Sequence, residues 1–186
     1  MEITAQIFGI IAMACFILSF QFKKGTLIIF SQLIGTVFYS LQYAFLSAIN
    51  HTIYIGLFIN ILSIFRAWVY YKKEFFHADH IFWLIFFISS FALCYVLLFT
   101  CFKVEANATN LILESLPVLA NIMTTVGYKG QNAKRIRVLS MIACVPWGVY
   151  HFTHASIGGT IGEVVNFLST LIGMIRHDIK KNKAEN

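Results

Sequence analysis

Two asparagines in this chain sit in almost the same phrase. Ile55-Gly56-Leu57-Phe58-Ile59-Asn60-Ile61-Leu62-Ser63 returns as Ile161-Gly162-Glu163-Val164-Val165-Asn166-Phe167-Leu168-Ser169, 106 residues later. The i, i+4, i+7 spacing places glycine, asparagine and serine on one helix face. A carboxamide offers two donors and an acceptor, so Asn60, Asn166, Ser63 and Ser169 could hold a small polar solute. The same groups could instead bond between membrane helices, with Gly56 and Gly162 allowing close approach. An amide inside an apolar run is costly unless something satisfies it.

A second polar face reads Glu114, Pro117 and Asn121 at i, i+3 and i+7. Pro117 lacks a backbone donor and frees a carbonyl, which makes a kink or a polar backbone site. Glu163 lies one turn before Asn166 on its face. Glu114 and Glu163 could accept protons at the outer mouth of a cavity, or reach the interface as solvated acids. Pro146-Trp147 offers a kink and a flat ring against which a solute could stack, and Gln32 and Gln42 could face the cavity wall. His51, His151 and His154 gather near one end, but no HxxxH or HExxH spacing sets two ligands on one face. No metal is therefore expected, and a metal permease is the weaker alternative. The four cysteines, Cys15, Cys94, Cys101 and Cys144, form no CxxC and read as packing residues. No nucleophile–base pair or phosphate-cradling loop is present, so neither an enzyme nor a cofactor is expected.

These groups must be positioned by apolar elements. The chain of 186 residues is 59% hydrophobic and 12% charged, with a mean hydropathy of +0.76. A soluble domain of this size cannot hide so much apolar surface, so lipid must cover it. Spanning helices of about 20 residues are predicted at Ile3–Phe22, Thr26–Leu46, Thr52–Tyr71, Ile81–Phe102, Leu111–Tyr128, Ile136–Phe152 and Ile157–Ile175. Lys23 and Lys24 follow the first run rather than precede it, so it reads as a retained helix and not a signal peptide.

Seven spans sort the charge. Lys23, Lys24, Lys72, Lys73, Lys129, Lys134, Arg135, Arg137, Arg176, Lys180, Lys181 and Lys183 fall on one side and Lys103 on the other. Arg66 is expected to snorkel toward the basic side. This places the N-terminus outside and the C-terminus in the cytoplasm. It also accounts for the net charge of +6 without nucleic acid. Trp68 and Trp83 would belong to the interfacial belt. Residues 3–71 overlay 109–177 at the offset of 106, with the helix at 81–102 restoring direction between them. The chain 1–186 then forms a single membrane domain in a 3+1+3 arrangement of parallel repeats, with Asn60 and Asn166 near the midplane and facing one another.

The segment Ala155-Ser156-Ile157-Gly158-Gly159-Thr160-Ile161-Gly162-Glu163, closing at Arg176, and the earlier Glu114-Ser115-Leu116-Pro117-Val118 resemble elements of the YgjV family of bacterial inner-membrane proteins. The resemblance spans almost the whole chain. It implies a multi-pass protein of that membrane and marks Ser156, Gly158, Gly159, Thr160, Glu163, Glu114 and Pro117 as motif positions. The 3+1+3 layout is also similar to SWEET sugar facilitators and PnuC-type vitamin transporters, in which paired asparagines and aromatics contact substrate. The proline–glutamine dipeptide of the sugar facilitators is absent, since Val118 follows Pro117.

The expectation is an all-α protein of seven transmembrane helices in the lipid bilayer that moves a small polar solute by alternating access. Asn60, Asn166, Asn121, Trp147, Ser63 and Ser169 would line its path. The competing expectation is a non-transporting membrane protein with a partner-binding or assembly role. The sequence leaves room for a homo-oligomer.

Overall fold

The computed structural model describes residues 2–47, 54–101, 105–153 and 157–179, all helical apart from short connections, with no strand among them. Eight α-helices follow in order: α1 (Glu2–Ser19), α2 (Gly25–Ser47), α3 (Tyr54–Tyr71), α4 (Lys73–Phe76), α5 (Ile81–Thr100), α6 (Ala108–Tyr128), α7 (Ala133–Thr153) and α8 (Ile157–Met174). A π-helical turn, Ile175–Ile179, continues α8. His51, His154, Ser156 and Lys103 lie outside the described residues, as do Lys180, Lys181 and Lys183.

Seven of these helices overlap the seven apolar runs, with shifts at their ends. The Asn107 side chain accepts from the Asn110 amide at 2.8 Å and starts α6 three residues before Leu111. The start of α7 takes in Lys134, Arg135 and Arg137. Gly25–Phe45, Ile81–Thr100 and Ala108–Tyr128 are long and apolar enough to cross a membrane, and Ile3–Ser19 and Leu57–Tyr71 are shorter apolar helices. The charged connection after α3 is not wholly irregular. It holds the single turn α4, with a Lys73–Asp79 ion pair at 2.8 Å, and His80 caps α5 by accepting from the Phe82 amide.

Neighbours in sequence pack side by side: α1 on α2 and α2 on α3, then α6 on α7 and α7 on α8. Gly35 makes the first of these contacts close, because a Cβ there would meet the Phe16 ring at 2.6 Å. Across the molecule α1 meets α8, α3 meets α6 and α2 meets α7, while α5 lies against α3 and α6. Of α5, Phe87, Phe91 and Leu98 are buried and most of the rest is open, as suits a helix with one protein-facing side in lipid. The apolar core gathers toward the end that carries the basic connections. It includes Phe20, Ile28, Ile29, Val69, Tyr70, Phe87, Phe91, Tyr128 and Ile136. Trp83 lies at this end and donates its indole N–H to the Phe76 carbonyl at 2.8 Å.

Candidate functional site

Where α3 crosses α6, three sequence-singled residues come together. Ser63 donates to Asn121 Oδ1 at 3.2 Å. Asn121 in turn donates through Nδ2 to the Pro117 carbonyl at 2.9 Å. The spacing that aligned Pro117 with Asn121 therefore yields a side-chain bond within α6 rather than an open kink. Arg66 completes this junction. Its Nη1 donates to the Asn121 carbonyl at 2.9 Å, to Asn121 Oδ1 at 3.0 Å and to Thr125 Oγ1 at 3.2 Å. Its guanidinium also lies 5.2 Å from the ring centroids of both Phe91 and Tyr128. The snorkelling expectation for Arg66 fails. The side chain is 5% exposed, because the amide and carbonyl of Asn121 one helix away outcompete a reach to the interface.

The polar chain continues across the bundle. Tyr128 donates to Gln32 Oε1, Gln32 Nε2 donates to Ser19 Oγ at 3.1 Å, and Ser19 donates to the Phe16 carbonyl. Gln32 is thus spent on α1 and α6. The Tyr128–Gln32 and Gln32–Ser19 bonds join helices that apolar packing alone would leave free to slide, each worth about 0.6 kcal/mol on average in a membrane.

Where α8 meets α1, Ser169 donates to the Ile17 carbonyl at 2.7 Å and accepts from Gln21 Nε2 at 3.0 Å. Arg137 reaches the same corner from α7, fully buried. It forms a bidentate pair with Asp178 at 2.8 and 2.9 Å and donates to the carbonyls of Phe20 and Phe22. His177 Nε2 donates to the Gln21 carbonyl at 2.8 Å. The π turn carries His177 and Asp178, and Gly173 gives it room: a Cβ there would lie 2.3 Å from the Phe20 carbonyl. This corner was not legible from spacing. Arg137 read only as one more charge on a basic face.

The two carboxylates stay inside the bundle. Glu163 lies near Cys144 of α7 and Tyr39 of α2. Glu114 lies near Tyr150 of α7, itself near Tyr43 of α2. Each acid is half-buried, with neighbours from α2 and α7. Gly148 faces Glu163, where a Cβ would come within 3.8 Å of the glutamate Cβ.

The remaining residues are more dispersed. Asn60 is half-buried on α3. Asn166 is 6% exposed, and its Oδ1 has no hydrogen-bond partner among the described residues. Trp147 stacks on His151 at 5.6 Å and 18° and meets Tyr150 edge-on, so its face is already covered within α7. Gly159 and Thr160 open α8 and are half-buried. Among the described residues no group of three His, Cys, Asp or Glu side chains could hold a metal.

Two shallow pockets lie at the basic end, and neither reaches Asn60 or Asn166. One, of about 510 Å³, is lined by Lys23, Lys24, Gly25, Gln131 and Lys134 among others. The other, of about 660 Å³, lies over the α4 connection at Lys73, His77 and His80.

No curated protein and no solved structure is detectably similar to the chain. A family model, Imp-YgjV, described as bacterial inner membrane protein, matches residues 3–181. That match agrees with apolar helices able to cross a bilayer, and its range takes in the Glu114–Val118 and Ser156–Glu163 segments. The chain belongs to the Imp-YgjV family, and its place is the bacterial inner membrane.

Proposed function

We propose that the chain is an inner-membrane transporter or facilitator of a small polar solute. Seven helices would cross the bilayer, with α1–α3 and α6–α8 as parallel repeats, α5 as the link between them and α4 at the inner surface. The N-terminus lies outside and the C-terminus in the cytoplasm in this reading. One observation carries it. Ser63 and Ser169, 106 residues apart, each tie the third helix of one set to the first helix of the other. A two-fold relation along the membrane normal produces that reciprocity, and such repeats rock against each other around a central site.

Asn166, with a buried acceptor left over, is the first residue assigned to the solute, together with Asn60, Asn121 and Trp147. Glu114 and Glu163 form the outer mouth and could take protons as the mouth opens. No side chain is assigned a catalytic role, and the bilayer is the only other partner assigned.

A second reading keeps the fold and drops transport. Ser63, Asn121 and Ser169 spend their hydrogen bonds on neighbouring helices, as interhelical ties in a partner-binding or assembly protein would. Untargeted metabolite uptake into proteoliposomes separates the two. Transport predicts uptake of at least one polar solute, cut at least about tenfold, or about 1.4 kcal/mol, in Asn60→Ala/Asn166→Ala. Uptake unchanged in the double variant would remove this site, and no uptake at all favours the second reading.

A further inference from the structure

We propose that Arg66 and Tyr70 are the recognition point for a carboxylate-bearing solute, an inference that rests on the transport reading above. Arg66 is a cation buried among apolar helices with no carboxylate paired to it among the described residues. It is held instead by neutral dipoles, Asn121 and Thr125, and by the faces of Phe91 and Tyr128. A guanidinium removed from water is strongly disfavoured unless a counter-charge offsets the loss. This protein supplies a counter-charge elsewhere: Arg137, equally buried, has Asp178.

Arg66 also keeps a donor in reserve. Among the described residues its buried Nε has no partner, and neither has the buried hydroxyl of Tyr70, one helical turn along the same face of α3. Two spare hydrogen-bonding groups beside an uncompensated cation suit an anion. A guanidinium edge presenting Nε–H matches the two oxygens of a carboxylate, and the tyrosine hydroxyl can donate to one of them. The buried position explains selectivity, because a neutral amide of the same shape leaves the charge uncompensated. Both groups are sealed in the closed packing, so the anion enters when α3 and α6 part.

The test uses the full-length protein in detergent, with melting temperature read against acetate, benzoate and succinate and against acetamide and benzamide. Inorganic phosphate is the competing anion. At least one carboxylate should raise the melting temperature saturably while its amide does not. Arg66→Gln should abolish the response. Tyr70→Phe, which retains the ring packed on Phe87 and Tyr128, should weaken apparent affinity about three- to tenfold, the scale of one hydrogen bond. The proposal is overturned by an unchanged response in Arg66→Gln or Tyr70→Phe, by an equal response to the amides, by phosphate outperforming every carboxylate, or by no response at all.

Uptake of the responding carboxylate into proteoliposomes then separates this inference from the transport reading. Binding without uptake removes transport and leaves the site. Uptake that persists undiminished in Arg66→Gln removes the site and leaves transport.

Discussion

The α3–α6 and α8–α1 junctions start from the same residue type and end in opposite electrostatics. Ser63 and Ser169 occupy equivalent places in the repeated phrase, and each bonds across to a neighbouring helix. Beside Ser169 the buried arginine, Arg137, is neutralised by Asp178 and anchored on two backbone carbonyls. Beside Ser63 the buried arginine, Arg66, meets only dipoles and rings and retains an unpartnered Nε. One junction is complete as it stands. The other is built around a charge that nothing in the described protein balances, which is what a fixed clasp and a working contact would look like on one scaffold.

The largest effect that could break this contrast is Asp178→Asn. It strands Arg137 in the interior, and removal of one partner of a buried pair costs about 3–5 kcal/mol. Thermal unfolding in detergent should show it as the least stable of these variants. A melting temperature near that of the wild type would mean the clasp is not one.

Asn121→Ala comes next, at about 2–3 kcal/mol. It takes one acceptor each from Ser63 and Arg66 while leaving the backbone carbonyl. If the loss exceeds that of Asp178→Asn, the α3–α6 junction is the true anchor and the comparison inverts. Gly173→Ala should lose about 1–3 kcal/mol through the clash with the Phe20 carbonyl, read from the same melts; a neutral result would show that α8 can move away freely. The smallest effect distinguishes the serines themselves. Ser169→Ala should cost about 1 kcal/mol and Ser63→Ala less, since Ser169 both donates and accepts while Ser63 only donates. Equal melts would erase that asymmetry.

Much of the architecture was readable in the chain because lipid makes it so. Runs of about 20 apolar residues can only be helices in a bilayer, and the offset of 106 carries the start of α1 onto the start of α6 and the start of α2 to within two residues of the start of α7. The pairing of Pro117 with Asn121 follows from helical spacing, and Ser63, read as a solute-lining group, bonds to Asn121 across the α3–α6 junction. What spacing could not reveal was which helix each polar face would meet. Arg66 finds Asn121 and Thr125, 55 and 59 residues away, and Arg137 finds Asp178, 41 residues away. From sequence both arginines looked like surface charge near a helix end, the commoner fate of such residues. The short helix α4 was equally hidden, as four residues carry too little periodicity to register.

The π turn at Ile175–Ile179 has a consequence for how this chain tolerates changes in length. Each of its residues is counted into the widened ring that aims Asp178 at Arg137. Deleting one would restore ordinary helical winding and swing Asp178 by about 100°, a full helical step, away from its partner. The connection from Lys72 to His80 is different in kind: apart from Phe76 and Ala78, which reach the core, it is mostly exposed, and an added residue at its exposed positions costs only a fraction of a kcal/mol in closure entropy, on the order of 0.1. Insertions and deletions should therefore be accepted around α4 and refused at the end of α8. There the molecule is sensitive to the number of its residues as well as to their identity.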